Sequence, residues 1–323
     1  MKKKVVAIML TAVTAASMAM AGCGSSSKDA DSTSNTGSAE ATSTPAGEKD
    51  AEPTEDAEAP AEDLSGSITA AGSSALKPLA DDAANMFMDK YPDVAITVDA
   101  GGSGEGLKQV SDGTVNIGNS DVEASEKLDE TAAAELVDHQ VCVITMAPIV
   151  NQDVYEAGVT DLSKEELISI FTGETTNWSE VGGPDEDIIL VTRPSSSGTR
   201  ATFQKYALDG NEEASNASME TDDSGVLLQN VQSTKGAIGY LALSYLVDDP
   251  EGVATVSIDG VEPTLENTYN GTYPVWTFEH MYTKGEPDEV TKAFLDYIMS
   301  DEYGAQMETL GYGVSSKMTT TEH

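Results

Sequence analysis

Three times in this chain a short apolar run passes into a serine- and glycine-rich turn and then into residues of helical spacing. The turns are GSSAL at 72–76, GGSGEG at 101–106 and SSSGTR at 195–200. From Ser65 the order is strand to about Ala71, then a helix carrying Leu76, Leu79, Ala83, Met86 and Phe87 that stops near Tyr91-Pro92. Ser73 or Ser74 is its natural N-cap. VAITVDAGGSGEGLKQV repeats the theme, and VNIGNSD is a short strand ending on Asp121. This βαβαβ pattern argues for an α/β fold with a largely parallel sheet. In such sheets ligands sit beyond the carboxyl ends of the strands, where all these turns fall.

VCVITMAPIVN (141–151) is a near-continuous apolar run and reads as a buried strand. A second set follows. LSKEELISIFTG is a helix starting near Leu162 or Ser163, and IILVTR is a strand ending at Arg193. SSSGTRATFQKYAL is a turn and a helix with Phe203, Tyr206 and Ala207 on one side. GAIGYLALSYL supplies a strand and a helix, TYPVWTFEHMYT a strand, and the segment from Asp288 to Gly311 a helix pair.

Each helix start offers unpaired backbone N–H groups and the positive end of a dipole. Joined by serine and threonine hydroxyls, such groups make a seat for an oxyanion, to which Arg193 adds a bidentate, charge-assisted partner. Taken singly, each turn is only a cap, and GGSGEG lacks both the P-loop lysine and the dinucleotide-loop spacing. The argument rests on three turns, Arg193 and Asp121 at the same strand ends. The bulk charge runs the other way. With 17 Lys+Arg against 56 Asp+Glu, the 323 residues carry a formal charge of −39. That balance excludes nucleic acid and anionic membrane surfaces as partners. Anion binding must then come from short-range donors inside an acidic shell.

The two cysteines, Cys23 and Cys142, are not expected to pair, and the three histidines are scattered without metal-ligand spacing. Neither a metal nor another cofactor is called for. Without a metal cluster or a Ser-His-Asp set, the chain reads as a binding protein rather than an enzyme.

The amino terminus is an address: three lysines, an apolar run and small residues ending at Cys23. Met20-Ala21-Gly22-Cys23 resembles the lipobox of bacterial lipoproteins. This implies a signal peptide over 1–22, cleavage before Cys23 and a lipid on its thiol. The protein is then extracytoplasmic and touches the cell membrane only through that anchor. Residues 24–63 hold no Val, Ile, Leu, Met or aromatic residue. Residues 23–64 therefore read as a disordered acidic linker.

AGSSAL, GGSGEGLKQV, IGNSD, IFTGETTNWSEVGG, TRPSSSGTR and GAIGYL, in that order, resemble the phosphate-binding subunits of bacterial phosphate ABC importers, the PstS family. The likeness runs from about Ser65 to Ser316. It implies a two-lobed periplasmic-binding-protein fold of type II, with two sheets flanked by helices and joined by two crossover strands. Lobe 1 is expected over 65–147 plus 273–320 and lobe 2 over 148–272, with hinges at Met146-Ala147-Pro148 and Tyr273-Pro274. By motif, the phosphate ligands it implies are Ser74 and the Ala75 N–H from the first turn, Ser103 from the second, Asp121, and Arg193, Ser197, Gly198 and Thr199 from the third. Permease and ATPase subunits of an importer are the implied partners, and inorganic phosphate is the implied cargo. Arg200 either touches the anion or pairs with an acidic residue at the helix start.

Asp121 bears on selectivity. An ionised carboxylate only accepts hydrogen bonds. It suits an anion that keeps a proton, as phosphate does, and opposes sulfate, molybdate or tungstate, which offer none. Its plainer roles are to cap a turn or to pair with Arg193. A receptor for another oxyanion, or a phosphate sensor without a transport role, stays open at this stage.

Overall fold

The computed structural model describes residues 64–215 and 219–320. The signal peptide, Cys23 and the acidic segment as far as Asp63 lie outside the described residues. The strands are β1 (Gly66–Gly72), β2 (Val94–Ala100), β3 (Ile117–Ser120), β4 (Leu136–Asn151), β5 (Asp161–Leu162), β6 (Ile189–Thr192), β7 (Met219–Glu220), β8 (Ala237–Ala242), β9 (Val253–Thr255), β10 (Ser257–Ile258) and β11 (Trp276–Lys284). The helices are α1 (Lys77–Lys90), α2 (Ser103–Ser111), α3 (Glu130–Ala134), α4 (Gln152–Glu156), α5 (Lys164–Phe171), α6 (Gly198–Tyr206), α7 (Ser224–Ser233), α8 (Leu265–Tyr269), α9 (Glu289–Ile298) and α10 (Asp301–Thr309).

β1 pairs in parallel with β2 and with β3, so the carboxyl ends of all three come to one level: Gly72 is opposite both Ala100 and Asn119. The turns that follow these strands are thereby brought together. Gly72 lies at φ 135°, and a side chain there would collide with the Asn119 carbonyl, so the first turn can sit against β3 only with glycine at this place.

The sheet is mixed, which corrects the largely parallel expectation. β11 runs antiparallel to both β3 and β4, and β4 antiparallel to β8 and β9. β4 explains its own length of 16 residues. From Leu136 to Thr145 it pairs with β11, and from Met146 onward with β8. One strand thus serves two half-sheets, β2-β1-β3-β11-β4 and β4-β8-β6-β7, which form a continuous path. Its apolar run 141–151 is buried throughout because both neighbouring layers cover it. Across from the change of partner, the Met146 N–H donates to the Val275 carbonyl (2.9 Å), just before β11 begins.

Each half has an aromatic cluster that sets a helix against the sheet. In the first, Phe87 of α1 meets Phe294 of α9 edge-on at 5.4 Å. In the second, Phe203 of α6 stacks on Tyr240 of β8 at 4.2 Å and meets Phe171 of α5. Burying Phe203 is worth roughly 2 kcal/mol and, for function, fixes where the amino end of α6 points.

Two local readings change. α1 starts at Lys77 with Leu76 in the cap position, while the Ser73 hydroxyl accepts from the N–H groups of Ala75 and Leu76 (3.1 Å each). β8 is followed only by a single 3-10 turn over Leu243–Tyr245, because the chain bends away to the 246–252 loop. Ser163 does start α5, through a reciprocal capping box with Glu166.

Candidate functional site

Arg193 follows β6 directly and is 1% exposed. Its Nη1 donates to the Ser224 hydroxyl (3.0 Å) and its Nη2 to the Ser74 hydroxyl (3.1 Å) and the Asp222 carbonyl. Nε has no acceptor. Every one of these partners is neutral, and no carboxylate of the described residues ion-pairs with this guanidinium. An interior charge without a counter-charge costs several kcal/mol. Such an arrangement suits a site completed by an anion.

Asp121 leaves the end of β3 and is equally buried. Its carboxylate accepts from the Thr199 hydroxyl at the start of α6 (2.7 Å) and from the Ser103 hydroxyl at the start of α2 (3.3 Å). Ser103 in turn accepts from the Asp121 N–H (3.1 Å), and Thr202 donates to the Asp121 carbonyl (3.4 Å). Asp121 makes no ion pair with Arg193, so that plainer reading fails. A β-carbon on Gly198 would run into Ser103 Oγ and lie 2.9 Å from Asp121 Cβ. Glycine is what lets the amino end of α6 approach this carboxylate.

The remaining sequence-predicted residues gather around these two charges. The Ser74 hydroxyl lies 3.0 Å from that of Ser224 and accepts from the Ser224 N–H (3.3 Å). The Ala75 N–H donates to Ser73 Oγ (3.1 Å). Ser197 is the N-cap of α6, its hydroxyl accepting from the Arg200 N–H (3.2 Å). The amino ends of α2, α6 and α7 and the turn before α1 thus supply the donors, with helix dipoles aligned to favour negative charge.

Arg200 turns away. Its Nε pairs with Glu213 (3.3 Å), its Nη2 with Glu212 (3.9 Å), and its Nη1 donates to the Arg193 carbonyl (2.7 Å). Of the two sequence alternatives it takes the acidic partner, though on the chain beyond α6 rather than at the helix start. Burial pushes the Glu213 carboxyl up to about 7, with Tyr240 and Arg200 opposing the rise.

Four contributing residues were not singled out from the sequence. Ser224 and the Asp222 carbonyl belong to a fourth turn, DDSG, which has the same serine-glycine form before a helix. Tyr245 donates to the Ser74 carbonyl (2.7 Å). Lys127 reaches from the chain after β3 to the carbonyls of Ser195 (2.9 Å) and Ser197 (3.5 Å), holding the third turn; burial lowers its pKa.

Known proteins share this architecture. A profile described as PBP superfamily domain matches residues 34–302. A phosphate-binding protein PstS of Bacillus subtilis is 55% identical over 241 residues, covering 75% of this chain and 78% of that protein. A crystal structure from Clostridium perfringens, described as a phosphate ABC transporter substrate-binding protein with bound phosphate, is 32% identical with a TM-score of 0.70. The match covers 76% of this chain and 98% of that one. An ABC-type phosphate transport receptor from Vibrio cholerae follows at 26% and 0.60, covering 76% and 99%. With this degree of identity over three quarters of its length, the chain belongs to the PstS family within the PBP superfamily.

Proposed function

We propose that this chain captures inorganic phosphate and hands it to the permease and ATPase subunits of an ABC importer. The ligand is seated by Ser74, Ala75, Ser103, Asp121, Arg193, Ser197, Gly198 and Thr199. The observation that carries the reading is the pairing of two buried charges of opposite sign that do not meet each other. An ion between them must offer negative oxygen to Arg193 and a proton to Asp121. Hydrogen phosphate does both, whereas sulfate leaves Asp121 facing an acceptor with no proton between them. The names of the relatives support the same ligand.

In this reading the protein binds its ligand and does not transform it. It works outside the cytoplasm, held by a lipid on Cys23 through the acidic segment 23–64. Lobe 1 (65–147 plus 273–320) and lobe 2 (148–272) close over phosphate about 146–148 and 273–274, where β4 changes partner. The test is calorimetric titration of the ligand-stripped protein with phosphate and then sulfate at neutral pH. One-to-one phosphate binding with sulfate silent is expected, and binding of sulfate alone refutes the reading. Asp121→Asn is expected to narrow the phosphate-to-sulfate affinity ratio by about 10-fold to 100-fold, since one unpaired buried acceptor costs about 1–3 kcal/mol.

A further inference from the structure

We propose that Glu279 is a positioning residue for selectivity in this site: a neutral carboxylic acid that donates its O–H to Asp121 from the adjacent strand. The proposal rests on the phosphate reading above and adds to it a residue that touches no ligand.

Glu279 lies in β11, opposite Cys142 of β4, where the register between these strands shifts. Against β3 the register is His280 with Ser120 and Met281 with Asn119. Continued by one step, it sets Glu279 opposite Asp121. The side chain is fully buried, and neither carboxyl oxygen receives a hydrogen bond from any donor of the described residues. The titratable groups around it are Asp121, the Cys142 thiol and Tyr312. The Tyr312 hydroxyl is donated elsewhere, to the Ala75 carbonyl (2.5 Å). No lysine, arginine or histidine of the described residues ion-pairs with Glu279.

A carboxylate in such a place would have neither donor nor counter-charge, and beside it stands a second carboxylate. A negative charge at Glu279 so near another carboxylate in the interior is costly, which favours its neutral form. Burial first, then the neighbouring charge of Asp121, push the Glu279 carboxyl well above the usual carboxylate range. The proton's place within the pair follows from the other bonds. Asp121 already accepts from Thr199 and Ser103, whereas no donor of the described residues reaches Glu279. Glu279 has nothing to favour ionisation, so the proton stays on it.

Two consequences reach the ligand. The site presents one negative charge to an incoming anion rather than two. Three donors, from Thr199, Ser103 and Glu279, fix how the Asp121 carboxylate is turned, leaving its remaining acceptor capacity for the proton of the ligand. Without the Glu279 O–H, Asp121 is free to turn, and its discrimination against a proton-free anion weakens.

The experiment compares wild type, Glu279→Gln and Glu279→Leu by titration with phosphate and with sulfate, with thermal melts to check folding. An amide N–H replaces the acid O–H, so Glu279→Gln is expected to keep phosphate affinity within about 3-fold and to keep the selectivity. Glu279→Leu is expected to lose about 10-fold or more in phosphate affinity and to narrow the phosphate-to-sulfate ratio. Equal losses in the two variants, or no loss in Glu279→Leu, overturn the proposal. Should Glu279→Leu fail to fold, the infrared spectrum decides. Glu213 contributes equally to both proteins, so the wild-type-minus-Glu279→Gln difference spectrum at neutral pH is expected to show a protonated carboxyl C=O band, and its absence from the difference overturns the proposal. If wild type takes up no phosphate, the functional reading fails, while the infrared band still tests the Glu279–Asp121 pair.

Discussion

Arg193 and Arg200 stand seven residues apart on one loop and helix, and the first accepts at its carbonyl from the second. Both side chains are largely withdrawn from water, yet their surroundings are opposite in kind. Arg200 faces two carboxylates, Glu212 and Glu213. Arg193 faces two hydroxyls and a carbonyl. An arginine with carboxylates has its counter-charge built in and serves the fold. An arginine given only neutral partners has been left for a charge that arrives from outside. In the proposed site the contrast accounts for an anion seat in a chain of net charge −39: no carboxylate of the described residues pairs with Arg193.

The sharpest way to break the comparison is to remove each arginine in turn. Arg193→Met takes away the guanidinium of the proposed seat and its donors. We expect phosphate affinity to fall by about 10³-fold or more, the loss typical of truncating one partner of a buried charge pair. The ligand-free melting temperature should hold or rise, because the change removes a buried charge that has no counter-charge and strands no carboxylate. Titration calorimetry and a thermal melt on the same sample check both halves of the statement.

Arg200→Met should invert the pattern. It strands Glu213, whose side chain is 1% exposed, and frees the Arg193 carbonyl. Breaking a buried pair from one side costs about 3–5 kcal/mol, here toward the lower figure because Glu213 can take up a proton instead. We expect a clear fall in melting temperature at pH 8 and a smaller loss of phosphate affinity than in Arg193→Met. If Arg200→Met proves the more damaging to binding, the assignment of the two roles is wrong.

The same contrast shows what local sequence can and cannot carry. The turns at 72–76, 101–106 and 195–200 were legible because serine and glycine before a helical period have a short-range cause, and Asp121 and Arg193 stood out at the neighbouring strand ends, whereas Ser103 and Thr199 were named through the family resemblance. Whether Arg200 joins Arg193 in the proposed site was not settled by periodicity. That depends on Glu213, beyond the end of α6, and on Ser224, at a turn whose preceding strand, β7, is two residues long. Glu279 was hidden for a related reason. In TYPVWTFEHMYT it is one acidic residue in a strand, and its meaning comes only from the antiparallel insertion of β11 between β3 and β4. The same insertion made the sheet mixed. Parallel units advertise themselves through their turns, whereas crossover strands reach their partners across the whole chain and leave no local mark.

Glu213 allows the finest test, through pH. Its carboxyl is raised from 4.5 to about 7 in the folded protein, chiefly by burial. A carboxyl raised on folding binds its proton more tightly in the native state, so it supports stability fully below about pH 4.5. That support is lost as pH rises through about 7. A rise of this size corresponds to about 3 kcal/mol lost across the window, at 1.36 kcal/mol per unit. Glu213→Gln keeps the shape of the protonated form and cannot ionise. It should therefore match wild type near pH 4.5 and exceed it by about 2–3 kcal/mol at pH 8, as urea unfolding at several pH values would show. The opposite sign, with the glutamine variant weaker at pH 8, would mean that the attraction of Arg200 for an ionised Glu213 outweighs burial. The region around Arg200 would then be a tightly bound ion pair in the ordinary sense, and the contrast with the partnerless Arg193 would be sharper still.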